Sequence, residues 1–241
     1  MSRPSLRYSA EAHPGHRSVA GGLARAAVFG VSDGLVSNVS LVIGFAGAGV
    51  TSAVVRLAGL AGAIAGAMSM AAGEWVSISA QNELVLRELA VERRELAYNP
   101  ALETAELARM YEGHGMTRQI AEYAANDVMR EPEAALNVHA REELGVDPNE
   151  LASPWSTAAL SLICFLVGAL LPVVPWFTGS GNGAKVASIL IGVVAAAVVG
   201  LLIGKFAERR LAWSSVRQVL ILLVACGATY VVGKALGVSV V

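Results

Sequence analysis

The chain is poor in cysteine, in charge and in aromatic side chains, and each shortage removes a class of function. Only two cysteines, Cys164 and Cys226, occur in 241 residues. Each sits alone in an apolar run with no partner at C-x-x-C spacing, so neither a disulfide framework nor a cysteine zinc site is available. Charged residues make up 15% of the chain and aromatics 6%. No basic stretch is interleaved with aromatics, which argues against a nucleic-acid partner. A phosphate-cradling glycine loop and a nucleophile elbow are also missing, so the chain has none of the usual signatures of soluble enzymes.

What fills the chain is apolar. Hydrophobic residues reach 55% and the mean hydropathy is +0.57, a membrane protein's balance. Residues 26–55 carry only Asp33 as a charge, 57–82 only Glu74, and 154–184, 186–204 and 218–233 none. Each run can supply a helix of about 20 residues, the length that crosses a bilayer. Gly47, Gly49 and Thr51 mark the first turn, Gly179 to Gly183 a second, and the Lys205–Arg210 cluster a third. The expectation is therefore an all-α integral membrane protein with five spans.

The scarce charge is unevenly placed. Residues 83–150 hold fifteen of the nineteen Asp and Glu against seven of the eighteen Lys and Arg, a net charge of −8 inside a chain of formal charge −1. The chain divides into an N-terminal arm (1–22), spans 1 and 2 (23–82), an acidic insertion (83–150) and spans 3 to 5 (151–241). Arg3, Arg7, Arg17 and Arg25 precede span 1, and Lys205, Arg209, Arg210 and Arg217 lie between spans 4 and 5. The positive-inside rule makes those sides cytoplasmic, and with them the acidic insertion, leaving Val241 on the opposite side. The arm shows no apolar stretch followed by a cleavage site, so span 1 is expected to act as the insertion signal. His13 and His16 in "HPGH" are read as part of a mobile arm rather than a site.

Within the insertion, Val76 to Ala97 continues span 2. Asn99 is placed to cap a helix from Pro100 to Gly113, Thr117 a third helix, and Pro132 opens a fourth that ends at Gly145. Glu88, Glu92 and Glu95 fall at i, i+4 and i+7, while Glu103, Glu106 and Met110 fall at i, i+3 and i+7, so each set shares a helix face. Like charges at these spacings repel by a few tenths of a kcal/mol per pair. Two readings account for them: a solvated acidic face with Arg93 and Arg94 as counterions, or a divalent cation held between helices by hard oxygen ligands.

Three stretches carry a resemblance: "VFGVSDGLVSN" in span 1, "GAMSMAAGEW" in span 2, and E-x-x-E, seven residues, E-x-x-E in the insertion. In them the chain resembles the vacuolar iron transporter (VIT) family, as a bacterial-type member, from about Ser18 to the C-terminus. The resemblance implies a dimeric five-span transporter that moves ferrous iron or manganese out of the cytoplasm, with protons as counter-ion. No cofactor is permanently bound; Fe2+ or Mn2+ is cargo, and oxygen ligands with one or two softer atoms also accept Zn2+ or Co2+. Glu92, Glu95, Glu103 and Glu106 keep the spacing of the family's metal ligands. "EELG" at 142–145 brings Glu142 and Glu143, the latter as the ligand.

The resemblance also assigns a path through the bilayer. Its aspartate corresponds to Asp33 and its methionine to Met70. An ionisable group at membrane depth costs at least about 2.5 kcal/mol on insertion scales, which favours a functional reading of Asp33 over local hydrogen bonding to Ser32 or Ser37. Met68 and Met70 also fit plain packing. Some members carry a glutamate where this chain has Gly62; Glu74, at i+4 from Met70, either replaces it or snorkels beside Trp75. Gly30-x-x-x-Gly34 and Gly62-x-x-x-Gly66 allow close helix packing, within the chain or across a dimer axis.

A second departure is His139, which stands with Ala140 where some members have adjacent methionines. His139 and Glu143, at i and i+4, can meet on one face. An imidazole ordinarily protonates near pH 6.5 and a thioether does not, so metal capture is expected to weaken between about pH 7 and 6 if His139 is a ligand; a solvated histidine fits the position as well.

Two other classes compete. A membrane-anchored di-iron oxidase or iron-storage-like protein needs Glu-x-x-His motifs on long bundle helices, but Pro100 interrupts the first pair and His139-x-x-Glu142 runs in reverse order. A non-transporting scaffold with an acidic docking domain has no need of Asp33 inside a span.

Overall fold

The computed structural model describes residues 22–237; His13 and His16 lie outside them. Among the described residues all regular structure is helical, and five helical segments are long and apolar enough to cross a membrane. They run Leu23–Gly47, Ser52–Tyr98, Pro154–Thr178, Gly181–Phe206 and Leu211–Leu236. The turns fall where the glycines and the basic cluster interrupt the apolar runs.

Helix α1 (Gly22–Gly47) is the centre of the bundle and packs against α2 (Ser52–Tyr98), α6 (Pro154–Leu170), α8 (Gly181–Phe206) and α9 (Leu211–Gly237). Its Leu35, Val39 and Ile43 meet Ala196, Leu222 and Cys226 of α8 and α9, while Val42 joins Val55, Val173, Trp176 and Ala184 on another side. Small residues allow the close approach. A Cβ on Gly34 would strike the Phe165 backbone of α6, and one on Gly168 would strike the Val31 carbonyl of α1. Gly30 and Gly66 also face α6, and Gly62 faces Leu41 and Asn38 of α1. Both small-xxx-small motifs thus pack helices within one chain.

The third span departs from the continuous run expected of it. It breaks at a 3-10 turn, Leu171–Val173, before a short α7 (Pro175–Thr178). Pro172 and Pro175 lack the N–H groups that would bond the carbonyls one turn back. The break is held from outside: the Ser188 hydroxyl donates to the Pro172 carbonyl at 2.7 Å and accepts from Trp176 Nε1 at 2.9 Å.

The polar segment between spans 2 and 3 forms α3 (Pro100–Gly113), α4 (Arg118–Val128) and α5 (Pro132–Glu142). Asn99 and Thr117 sit at the two expected N-caps, but neither side chain makes a capping hydrogen bond. α5 ends at Glu142, before Gly145. Gly145 closes it in the left-handed region at φ 65°, with the Val146 N–H on the Ala140 carbonyl at 3.2 Å. Leu89 of α2 packs on Leu136 and Ala140 of α5, and Leu107 and Ala108 of α3 pack on Ala125 of α4. These contacts fold α3 and α5 back onto the polar end of α2.

Candidate metal centre

The Asn99–Pro100 corner turns the chain so that carboxylates from the end of α2 and the start of α3 come together. Glu92 enters from α2, Glu103 from the first turn of α3, and His139 and Glu143 from the C-terminal turn of α5. One ligand atom from each lies within 4.8 Å of all the others. His139 Nδ1 sits at the middle, 3.0 Å from Glu143 Oε1, 3.1 Å from Glu92 Oε1 and 3.9 Å from Glu103 Oε2.

Three of the four ligands are withdrawn from solvent, and Glu143 stands at the exposed edge. Glu92 is 5% exposed, Glu103 8% and His139 0%, so the histidine is not the solvated one that its position also allowed. Burial, and next the carboxylate of Glu143, push the Glu92 carboxyl up to about 7; Glu103 and Glu95 add to the rise and His139 opposes it. Glu103 is also raised, by burial first and then by Glu106, with His139 again opposing. Glu92 Oε1 and His139 Nε2 lack hydrogen-bond partners among the described residues. Three carboxylates and an imidazole converging on one point, buried except at Glu143 and with an orphaned acceptor among them, fit a divalent cation: three oxygens and one nitrogen suit Fe2+ and Mn2+ and admit Co2+ or Zn2+.

The other expected ligands stand outside this group of four. Glu95 is exposed and Glu106 half-buried, close enough to act on Glu92 and Glu103 through their charge. Glu142 turns away, its carboxylate 3.6 Å from His114 Nδ1. Arg93, offered as a counterion to the glutamates of its own helix, pairs with Glu133 at 3.2 Å.

In the bilayer portion, Asp33 and Ser37 lie on an exposed stripe of α1. The two serines that could have satisfied Asp33 are directed elsewhere. The Ser37 hydroxyl donates to the Asp33 backbone carbonyl at 2.6 Å, and the Ser32 hydroxyl accepts from Gln218 Nε2. Leu41 lies against Gly62; eight residues back along α1 and eight forward along antiparallel α2, Asp33 and Met70 stand at the same level. Met70 is half-buried against the cluster formed by Phe165, Ala63 and Ala67, and Glu74 is half-buried one turn further along. Sequence reasoning passed over Asn38, which is 2% exposed between α1, α2 and α6; an amide inside an apolar run was the signal available.

A sequence model of the VIT family matches residues 24–234. The chain is 29% identical over 233 residues to vacuolar iron transporter 1 of Tulipa gesneriana, covering 96% of this chain and 94% of the relative. It is 30% identical over 239 residues to vacuolar iron transporter 1 of Oryza sativa subsp. japonica, with 98% and 94% covered. It is 33% identical over 204 residues to the vacuolar iron transporter of Acanthamoeba castellanii, with 79% and 74% covered. These relatives are eukaryotic rather than bacterial. With its five apolar helices and a family match that runs almost from end to end, the chain belongs to the VIT family.

Proposed function

We propose that this multi-pass membrane protein is a carrier, not an enzyme, that moves ferrous iron or manganese out of the cytoplasm in exchange for protons. The observation that carries the reading is the convergence of buried Glu92, Glu103 and His139 with exposed Glu143, in which the Glu92 carboxyl is raised to about 7. A group poised there binds either a proton or a cation near neutral pH, so loading one expels the other. Glu95 and Glu106 draw cations toward this capture site by their charge. From it the ion passes Glu74 and enters the bilayer at the level of Met70 and Asp33.

The Lys and Arg that flank the spans favour an N-terminus and acidic segment in the cytoplasm and a C-terminus across the membrane. The exposed position of Asp33 supports a homodimer. A carboxylate facing lipid at this depth is costly, and a second copy laid against the stripe that carries Asp33 and Ser37 would enclose it. Bilayer lipid then covers the remaining apolar helix faces.

The test is uptake of Mn2+ or Fe2+ by proteoliposomes of the full chain with a pH dye in the lumen. Metal entry with proton exit supports the antiport. Metal binding with no flux across a range of pH gradients would leave a binding protein and remove the transport reading.

A further inference from the structure

Asn38 holds the helices together with one half of its amide and leaves the other half free. Its Nδ2 donates to the Gly59 carbonyl of α2 at 3.1 Å and to the Ala169 carbonyl of α6 at 2.5 Å. With both carbonyls on one side, the amide's orientation is settled, and Oδ1 must point the other way. That oxygen is buried and has no hydrogen-bond partner among the described residues. An amide carbonyl stripped of water without a partner is destabilising, so its presence in an apolar core calls for a reason.

The direction in which Oδ1 points supplies one. It lies 3.0 Å from where a Cβ on Gly62 would stand, and Leu41 Cδ2 lies 2.5 Å from the same point. Gly62 therefore leaves a place beside the amide oxygen that only the tip of the Leu41 side chain fills. Leu41 and Gly62 are both half-buried, so a rotamer change of Leu41 would open the oxygen toward the outer surface of the α1–α2 pair. Asn38 is five residues beyond Asp33 along α1, about 7.5 Å further from the acidic segment at 1.5 Å per residue.

We propose that the Asn38 side-chain carbonyl is an oxygen ligand for the divalent cation in the outer half of the path, one step beyond Asp33, covered by Leu41 and admitted by the missing side chain at Gly62. The inference rests on the transport reading above. An amide oxygen is a hard ligand suited to Fe2+ and Mn2+, but it is neutral, so it holds the ion less firmly than Asp33 does. It also cannot exchange its ion for a proton. The outer step is then one at which metal leaves without proton competition, and proton exchange is confined to the carboxylates.

The test exploits ligand softness. Asn38→Cys puts a thiol at the proposed ligand position; the variant and the wild type, which both retain Cys164 and Cys226, are compared for Mn2+ uptake in proteoliposomes with Cd2+ as inhibitor. The Cd2+ concentration that halves Mn2+ flux should fall about tenfold or more in the variant, because thiolate favours the softer ion. A lower flux alone is the expected loss of the helix tie through Nδ2, so the Cd2+ to Mn2+ ratio is the reading. Should Asn38→Cys fail to fold, Gly62→Cys places a thiol against the same oxygen, with only the flexible end of Leu41 in its way, and should show the same Cd2+ sensitivity. Absence of Mn2+ uptake by the wild type would sink the transport reading itself. Wild-type uptake with an unchanged Cd2+ ratio in the folded cysteine variant would overturn the role of Asn38 alone.

Discussion

Replacing Glu92 by glutamine should remove most of the pH dependence of metal capture. In the metal-free protein the Glu92 carboxyl sits at about 7, raised from 4.5 chiefly by burial. Metal needs the carboxylate, so affinity rises with pH as the competing proton leaves. Between about pH 8 and pH 6 the ionised fraction of a group at about 7 falls from about nine-tenths to one-tenth, a tenfold loss of affinity or about 1.4 kcal/mol. The same shift acts on folding. A carboxyl raised in the folded state favours stability below its unfolded value of about 4.5, and that contribution is lost as pH rises through about 7. The lost contribution is at most about 3 kcal/mol, and bound metal offsets it by neutralising the carboxylate. Calorimetric titration of Mn2+ into the detergent-solubilised full chain at the two pH values measures the slope directly. In Glu92→Gln the affinity at about pH 8 should fall by tenfold or more and the slope should flatten. An undiminished tenfold slope in that variant would show that the competing proton is elsewhere; His139→Met, run alongside, assigns it to the imidazole if that slope flattens instead.

Asp33→Asn should insert and assemble normally yet carry no Mn2+ in proteoliposomes; wild-type flux would take Asp33 off the path. Glu208, between α8 and α9, holds φ 50°, a left-handed conformation that suits glycine, so Glu208→Gly should raise thermal stability in detergent by about 0.5–1 kcal/mol. Gly34→Ala, whose Cβ would collide with the backbone of Phe165, should lower stability by about 1–3 kcal/mol and broaden the melting transition. Glu142→Gln, which leaves the group of four untouched, should change Mn2+ affinity by less than about threefold, far short of Glu103→Gln.

The five spans were legible because charges and turn glycines bound each apolar run, and α3 to α5 because Pro100, Gly113, Pro132 and Gly145 punctuate them. The break in the third span was hidden: Pro172 and Pro175 sit in a run long enough to cross the bilayer unbroken, and only the Ser188–Trp176 contact shows how the freed backbone is held. The carboxylates were identified as a set, but not their division. Glu92 and Glu95 share a helix face, and which one is buried depends on where α5 docks through Leu136 and Ala140, a tertiary fact that spacing does not carry. Glu142 and Glu143 are neighbours in sequence but about 100° apart around the helix, so one turns into the cluster and the other toward His114.

α2 runs unbroken for 47 residues, with no proline, from the far end of the bilayer portion to the Asn99 corner. At 1.5 Å per residue it is about 70 Å long, and Glu92 stands about 33 Å from Met70 along one rigid rod. Such a rod acts as a lever: tilting it by about 5° about the level of Met70 carries Glu92 sideways by about 3 Å. The other three ligands ride on α3 and α5, in a cage whose ligand atoms span 4.8 Å. Because α3 and α5 are docked on the same end of α2, a rocking motion in the membrane too small to unpack any helix would carry the whole cage sideways by about the same 3 Å. The place at which the ion is held and the tilt of the helix cannot be set independently.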